Sequence, residues 1–148
     1  MAWISITEDD VLTRVSGPEA QAYRTAAKAS GQEDPLPEVI AAVVDEVRGY
    51  VSACRENSLG ADGKIPPRLK HTALAMIRWR LINRLPIRSE ALLDTRRHDN
   101  DEAIRLLQRV AECKYRVEDP DTGESTQILK PTISGRKRKF GRDNQRGI

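Results

Sequence analysis

The densest chemistry in this 148-residue chain is a run of cations near its end, Arg136-Lys137-Arg138-Lys139-Phe140-Gly141-Arg142. Clustered cations bind a phosphate backbone by releasing its counterions, with steep salt dependence and no base preference. They also steer a segment onto an acidic protein surface, where Phe140 would be the single apolar anchor. The third reading is a solvated terminus without a partner. Elsewhere the inventory for catalysis is thin. His71, between Lys70 and Thr72, has no acidic or cysteine partner at the four-residue spacing of a helical metal site. His98, within Arg96-Arg97-His98-Asp99-Asn100-Asp101, reads as part of a solvated turn between two helices. Asp99-Asn100-Asp101-Glu102 lacks the alternate-position ligands and turn glycine of a calcium loop, and its acids suit a helix start. Gly60, Gly63 and Lys64 do not have phosphate-loop spacing, and Pro66-Pro67 stands where the helix should open. No serine nucleophile motif is present. These residues point away from an enzyme, and no metal or cofactor is expected.

The formal net charge of +3 conceals a division. Residues 136–148 carry six basic groups against Asp143 alone, a net +5, while the 135 residues before them hold 19 basic and 21 acidic groups, a net −2. A mildly acidic body therefore wears a basic tail. Aromatics make up 4% of the chain and hydrophobic residues 39%, so the core must be small and aliphatic. No apolar stretch approaches the ~20 residues of a membrane span, and nothing reads as a secretory leader. Cys54 and Cys113 each sit in a periodic apolar pattern and are expected to be separate, buried, reduced thiols of a cytosolic protein.

Helices must position these groups. Thr7 can cap a short helix whose first turn is Glu8-Asp9-Asp10, with Val11, Leu12 and Val15 on one face. Pro18 suits the start of a second, Ala-rich helix, and Ser30-Gly31 its exit. Leu36, Ile40, Val43, Val44, Val47, Val51 and Cys54 recur at helical steps and predict an amphipathic helix of about five turns. Gly49 costs it about 1 kcal/mol against Ala, from close packing of a neighbour or simple tolerance. After the loop at 57–63, Pro66-Pro67 introduces a helix to about Leu85. Leu69, Ala73, Met76 and Arg80 mark one face and Leu74, Ile77 and Leu81 another, as for an interior helix or a subunit interface. Beyond Pro86, Ser89 can cap a short helix to about Asp94. Asp99 or Asn100 then caps another, with Ala103, Ile104, Leu107, Val110 and Ala111 at helical spacing. The period changes at Tyr115, and a turn at Asp119-Pro120-Asp121-Thr122-Gly123 suggests a β-hairpin or extended arm. The expected architecture is mainly α: a small helical bundle over 1–114, a hairpin or extended arm over 115–130, and a basic tail over 131–148, disordered when free.

The order of these pieces resembles a known family. Ile6-Thr7-Glu8-Asp9-Asp10-Val11 precedes a helix with Val39-Ile40-Ala41-Ala42-Val43-Val44-Asp45-Glu46-Val47, then Tyr50-Val51. A glycine-containing loop leads to Ile65-Pro66-Pro67-Arg68-Leu69-Lys70 and Ala73-Leu74-Ala75-Met76-Ile77-Arg78-Trp79-Arg80-Leu81. The helix with Asp101-Glu102-Ala103-Ile104-Arg105-Leu106-Leu107 comes last. Over roughly residues 4–117 this is similar to the Mu-like phage head–tail connectors, the small helical neck-adaptor or head-completion proteins of tailed phages. The resemblance implies a homo-oligomeric ring, commonly of twelve copies, assembled in the host cytoplasm and seated in the virion neck. Its partners would be the portal protein and the next tail or neck protein, and DNA would pass through the channel without specific binding. Arg136, Lys137, Arg138, Lys139, Phe140 and Arg142 are the candidate contacts to portal or neighbouring subunit, read from charge because the resemblance ends before them. The rival expectation is a small nucleic-acid-binding protein that uses the same tail.

Overall fold

Thr7 opens the first helix through a capping box. Its hydroxyl accepts from the Asp10 amide at 3.3 Å, and the Asp10 carboxylate accepts from the Thr7 amide at 3.1 Å. The computed structural model describes residues 2–29, 31, 33–83 and 90–120, and over them the protein is mainly helical. The helices are α1 (Glu8–Leu12), α2 (Gly17–Ala29), α3 (Leu36–Ala53), α4 (Lys70–Ile82) and α5 (Glu90–Ala111), with one 3₁₀ turn, Pro67–Leu69, leading into α4. The described residues contain a single β-bridge, between Ile4 and Ile65, made by two backbone hydrogen bonds of 2.9 Å.

The body is a three-helix packing of α3, α4 and α5, with α1 laid against α3 and α4. Val43, Val47 and Val51 from α3 meet Ala73, Ile77 and Leu81 from α4 and Leu107 and Val110 from α5, all essentially without solvent contact. The two apolar faces of α4 are explained by its interior position, with helices on either side of it. On α3 the sequence stripe is shifted by a residue at its start: Val39 is buried and Ile40 only half-buried. A Cβ at Gly49 would meet nothing within 4 Å, so this glycine is tolerated rather than required by a neighbour.

Two expectations are corrected here. The break between a short helix ending near Asp94 and another starting at Asp99 or Asn100 does not exist, because α5 runs unbroken through it. His98 and Asp99 are therefore mid-helix residues rather than parts of a turn. The stretch looks like a linker because it lacks apolar residues, yet Arg96 and Asn100 are buried, 4% and 8% exposed. Arg96, Asn100, Ala103, Leu107 and Val110 form one continuous inward stripe at three- and four-residue steps, polar in its first half. Ser89 lies outside the described residues.

The second correction concerns the cysteines, which are joined to each other as a disulfide with Cα atoms 5.3 Å apart. Cys54 caps the end of α3, and Cys113 follows the end of α5. Their pairing follows from the two helix ends lying side by side, a tertiary fact that local periodicity cannot show. Cys113 also has φ 59°, the left-handed conformation that usually belongs to glycine after a helix. The Cys113 amide donates to the Val110 carbonyl and the Lys114 amide to that of Arg109, the bond pattern of a Schellman terminus. Of the expected hairpin or arm at 115–130, residues 115–120 are described and have no strand; the remainder lies outside the described residues.

Candidate functional site

The N-terminal segment, the loop after α3 and the chain leaving α5 converge at one end of the bundle, and Trp3 is where they meet. Its indole is 5% exposed, and Nε1–H donates to the Glu118 carbonyl at 2.9 Å. A Cβ on Gly60 would stand 2.8 Å from the Trp3 ring and 3.1 Å from Pro120, so only glycine lets loop, indole and outgoing chain close on one another. Arg48 of α3 organises the loop from below. It donates to the carbonyls of Lys64 at 2.7 Å, Ala61 at 2.8 Å and Gly60 at 3.2 Å, and pairs with Asp62 at 3.2 Å. Its guanidinium also lies 5.8 Å from the Trp3 ring centroid. A planar head with five donors is what lets one side chain gather four loop groups. Arg68, just before α4, pairs with Glu118 at 3.1 Å, and Val117 is buried in the core. Residues 115–120 are thus fastened to the body, and the remaining chain departs from a fixed root at Pro120.

A different surface opens between α4 and α5. It is a cleft of about 550 Å³ floored by Leu74, Ala75, Ala103 and Leu106. Arg78 from α4 and Arg105 and Arg109 from α5 line it; Arg105 and Arg109 make no ion pair among the described residues, and the charge of Arg78 also acts on the Glu19 carboxylate. The Arg78 Nε is buried and makes no hydrogen bond. Asp99 and Glu102 are the carboxylates in the lining, and Glu102 is paired with His98 at 3.3 Å. At the rim the Arg14 guanidinium lies 2.6 Å from His71 Nδ1. A guanidinium can only donate, so Nδ1 accepts and the ring proton belongs on Nε2. Among the described residues no group of three or more His, Cys, Asp or Glu is arranged to hold a metal ion, and no helix is long and apolar enough to cross a membrane.

Two ion pairs hold the elements that frame these surfaces. Arg96 on α5 forks onto Glu19 of α2, one of its bonds measuring 2.7 Å, and the Tyr23 hydroxyl donates to the same carboxylate at 2.8 Å. The hydrogen bond from Arg96 holds the Glu19 carboxyl below its ordinary range, against the burial that would raise it. Burial, followed by the hydrogen bond to Glu19, pushes the Tyr23 phenol up. At the other pair, Lys70 donates to Asp10 at 2.7 Å and lowers its carboxyl, adding to the capping bond from Thr7.

The six residues that the sequence marks for partner binding, Arg136, Lys137, Arg138, Lys139, Phe140 and Arg142, lie outside the described residues. What the structure adds is the root from which their segment leaves and the cationic cleft. Trp3, Arg48 and Gly60 are not visible in the sequence as a site. The available signals are a tryptophan in a chain with few aromatics and a glycine in the 57–63 loop, and neither names its partner.

Comparison with protein families matches the chain to the family described as Bacteriophage Mu, Gp36, over residues 6–131. The chain belongs to this family. It is a Mu-like phage protein, and the matched span takes in the five helices α1–α5 and residues 115–120, though not Trp3. For this Gp36-family chain the match runs past residue 117, the end of the sequence resemblance, and stops short of the basic run. Neither the curated proteins nor the solved structures contain a match.

Proposed function

We propose that this protein is a non-enzymatic structural component of the virion neck, a head–tail connector. In this reading copies form a ring beneath the portal, commonly of twelve, and join it to the next neck or tail protein. Assembly takes place in the host cytoplasm, and packaged DNA passes through the channel without specific contact. Membership of the Gp36 family supports the phage setting. The observation that carries the mechanical part is the fixed root at Trp3, Gly60 and Arg68: a body of packed helices presents its C-terminal segment from one defined point. A segment that orders on its partner can then cover a large surface with few residues. The basic residues at 136–142 would supply electrostatic steering and Phe140 the anchor.

Deletion of residues 131–148 tests this directly. The truncated chain should keep its helical circular dichroism and melting temperature and lose at least tenfold in affinity for portal rings. The intact protein should gain the mass of a ring when mixed with portal. Portal binding undiminished by the deletion would remove the tail from the mechanism, and absence of any portal complex with the full chain would remove the connector reading itself.

A further inference from the structure

Arg78, Arg105 and Arg109 bring three guanidiniums into one cleft, of which Arg105 and Arg109 make no ion pair among the described residues, on a body whose net charge is −2. Arg105 and Arg109 are exposed. The same chain carries an acidic stretch of matching size. Between Glu118 and Lys130 lie Asp119, Asp121 and Glu124 and no cation, and this stretch is within the span of the family match. Glu118 is already committed to Arg68; the other three carboxylates follow immediately beyond the root.

The helical phase of α4 decides between self-docking and docking on another copy. Arg80 pairs with Glu46 and so faces α3, on whose side Arg48, the 60–64 loop and the arm root lie. Arg78 is two residues earlier, about 200° around the helix, and His71 is nine residues earlier, about 180° around it. The cleft therefore opens on the side of α4 turned away from α3. Pro120 sits beside Gly60 and Trp3, and no residue of α3, of that loop or of 115–120 lines the cleft, so the stretch beyond Pro120 is assigned to the cleft of a neighbour. A contact between one face of a copy and the opposite face of the next is heterologous, the kind that closes into a ring when repeated.

We infer that the α4–α5 cleft receives the acidic stretch 119–124 of an adjacent copy, its carboxylates pairing with Arg78, Arg105 and Arg109. The inference rests on the ring reading above and names the contact that would build the ring. A nucleic-acid strand is the less suitable occupant. Its charges repeat all along the backbone and would meet Asp99 and Glu102 in the same cleft, whereas three carboxylates match the three guanidiniums in number.

The test uses the full chain in three forms. A cleft variant carries Arg105→Glu and Arg109→Glu, an arm variant carries Asp119→Arg, Asp121→Arg and Glu124→Arg, and a third form carries all five changes. Wild type should self-associate on portal or at high concentration, more weakly as salt rises. Each charge-reversed variant alone should associate at least tenfold more weakly, with unchanged circular dichroism. Mixing the two should restore association in alternating copies, because the acidic arm of the cleft variant fits the arginine cleft of the arm variant and the reversed arm fits the reversed cleft. The five-change form should recover assembly. Rings from the cleft or arm variant equal to wild type would overturn the inference and leave the connector reading standing. Wild type that remains monomeric with and without portal would overturn both. Binding of a 30-base-pair duplex that is abolished by the cleft variant, with self-association unchanged, would assign the cleft to nucleic acid and overturn the proposal.

Discussion

At the scale of single residues, the polar side chains with most influence on this fold are buried ones. Arg96 is 4% exposed and depends on Glu19 for its counter-charge, while Tyr23 donates to the same carboxylate. Removing one member of a buried pair leaves the other uncompensated, at a cost of about 3–5 kcal/mol. Glu19→Gln should therefore destabilise the protein by about 3 kcal/mol, read by urea denaturation at pH 7. The pH dependence has a definite sign. A glutamate whose folded pKa is depressed contributes fully above its ordinary value of 4.5 and loses that contribution as pH falls through the folded value. Wild type should weaken across that acid limb, and Glu19→Gln should have a flatter one. Asp10, lowered by Lys70, adds to the same limb in both proteins, so the difference between the two curves isolates Glu19. Residues of this kind also account for the missed continuity of α5. Arg96 and Asn100 occupy inward positions that periodicity counts only when they are apolar.

At the scale of elements, the spacing of apolar residues carries most of the information. The valines of α3 and the two faces of α4 locate both helices, and Thr7 with Asp10 locates the start of α1. What spacing lacks is any record of which loops touch. Gly49 and Gly60 look alike as letters and differ entirely in surroundings. Gly49→Ala meets open space in mid-helix and should stabilise the protein by about 1 kcal/mol. Gly60→Ala drives a methyl to 2.8 Å from the Trp3 ring, so the ring or Pro120 must move, at a cost of about 1–3 kcal/mol. Denaturation curves give both signs, and amide hydrogen exchange at 116–119 should accelerate only in Gly60→Ala. The arm root illustrates the same gap. Trp3 and Glu118 are 115 residues apart in sequence, and no local pattern pairs them.

At the scale of the whole molecule, one covalent link defines how the ends are arranged. The disulfide spans 59 residues, and closing a loop of that length removes about 4 kcal/mol of unfolded-state freedom in the chain-entropy picture. Cys113 also occupies a left-handed position where a non-glycine residue costs about 1–2 kcal/mol. The two effects oppose each other, which gives a distinctive prediction for Cys113→Gly. Under oxidising conditions the variant should be less stable than wild type by a few kcal/mol. With reductant present it should be the more stable of the two by about 1 kcal/mol, with thermal melts in both conditions as the check. The family match supplies the phage setting, but the cysteines' meeting could be found only in three dimensions. Their position has a mechanical consequence. Tension applied to the C-terminal segment first meets the anchors at Trp3 and Arg68 and reaches Cys113 seven residues before Pro120. From there the load has a covalent path into the end of α3, so α5 cannot be peeled away turn by turn from that end while α3 stays behind.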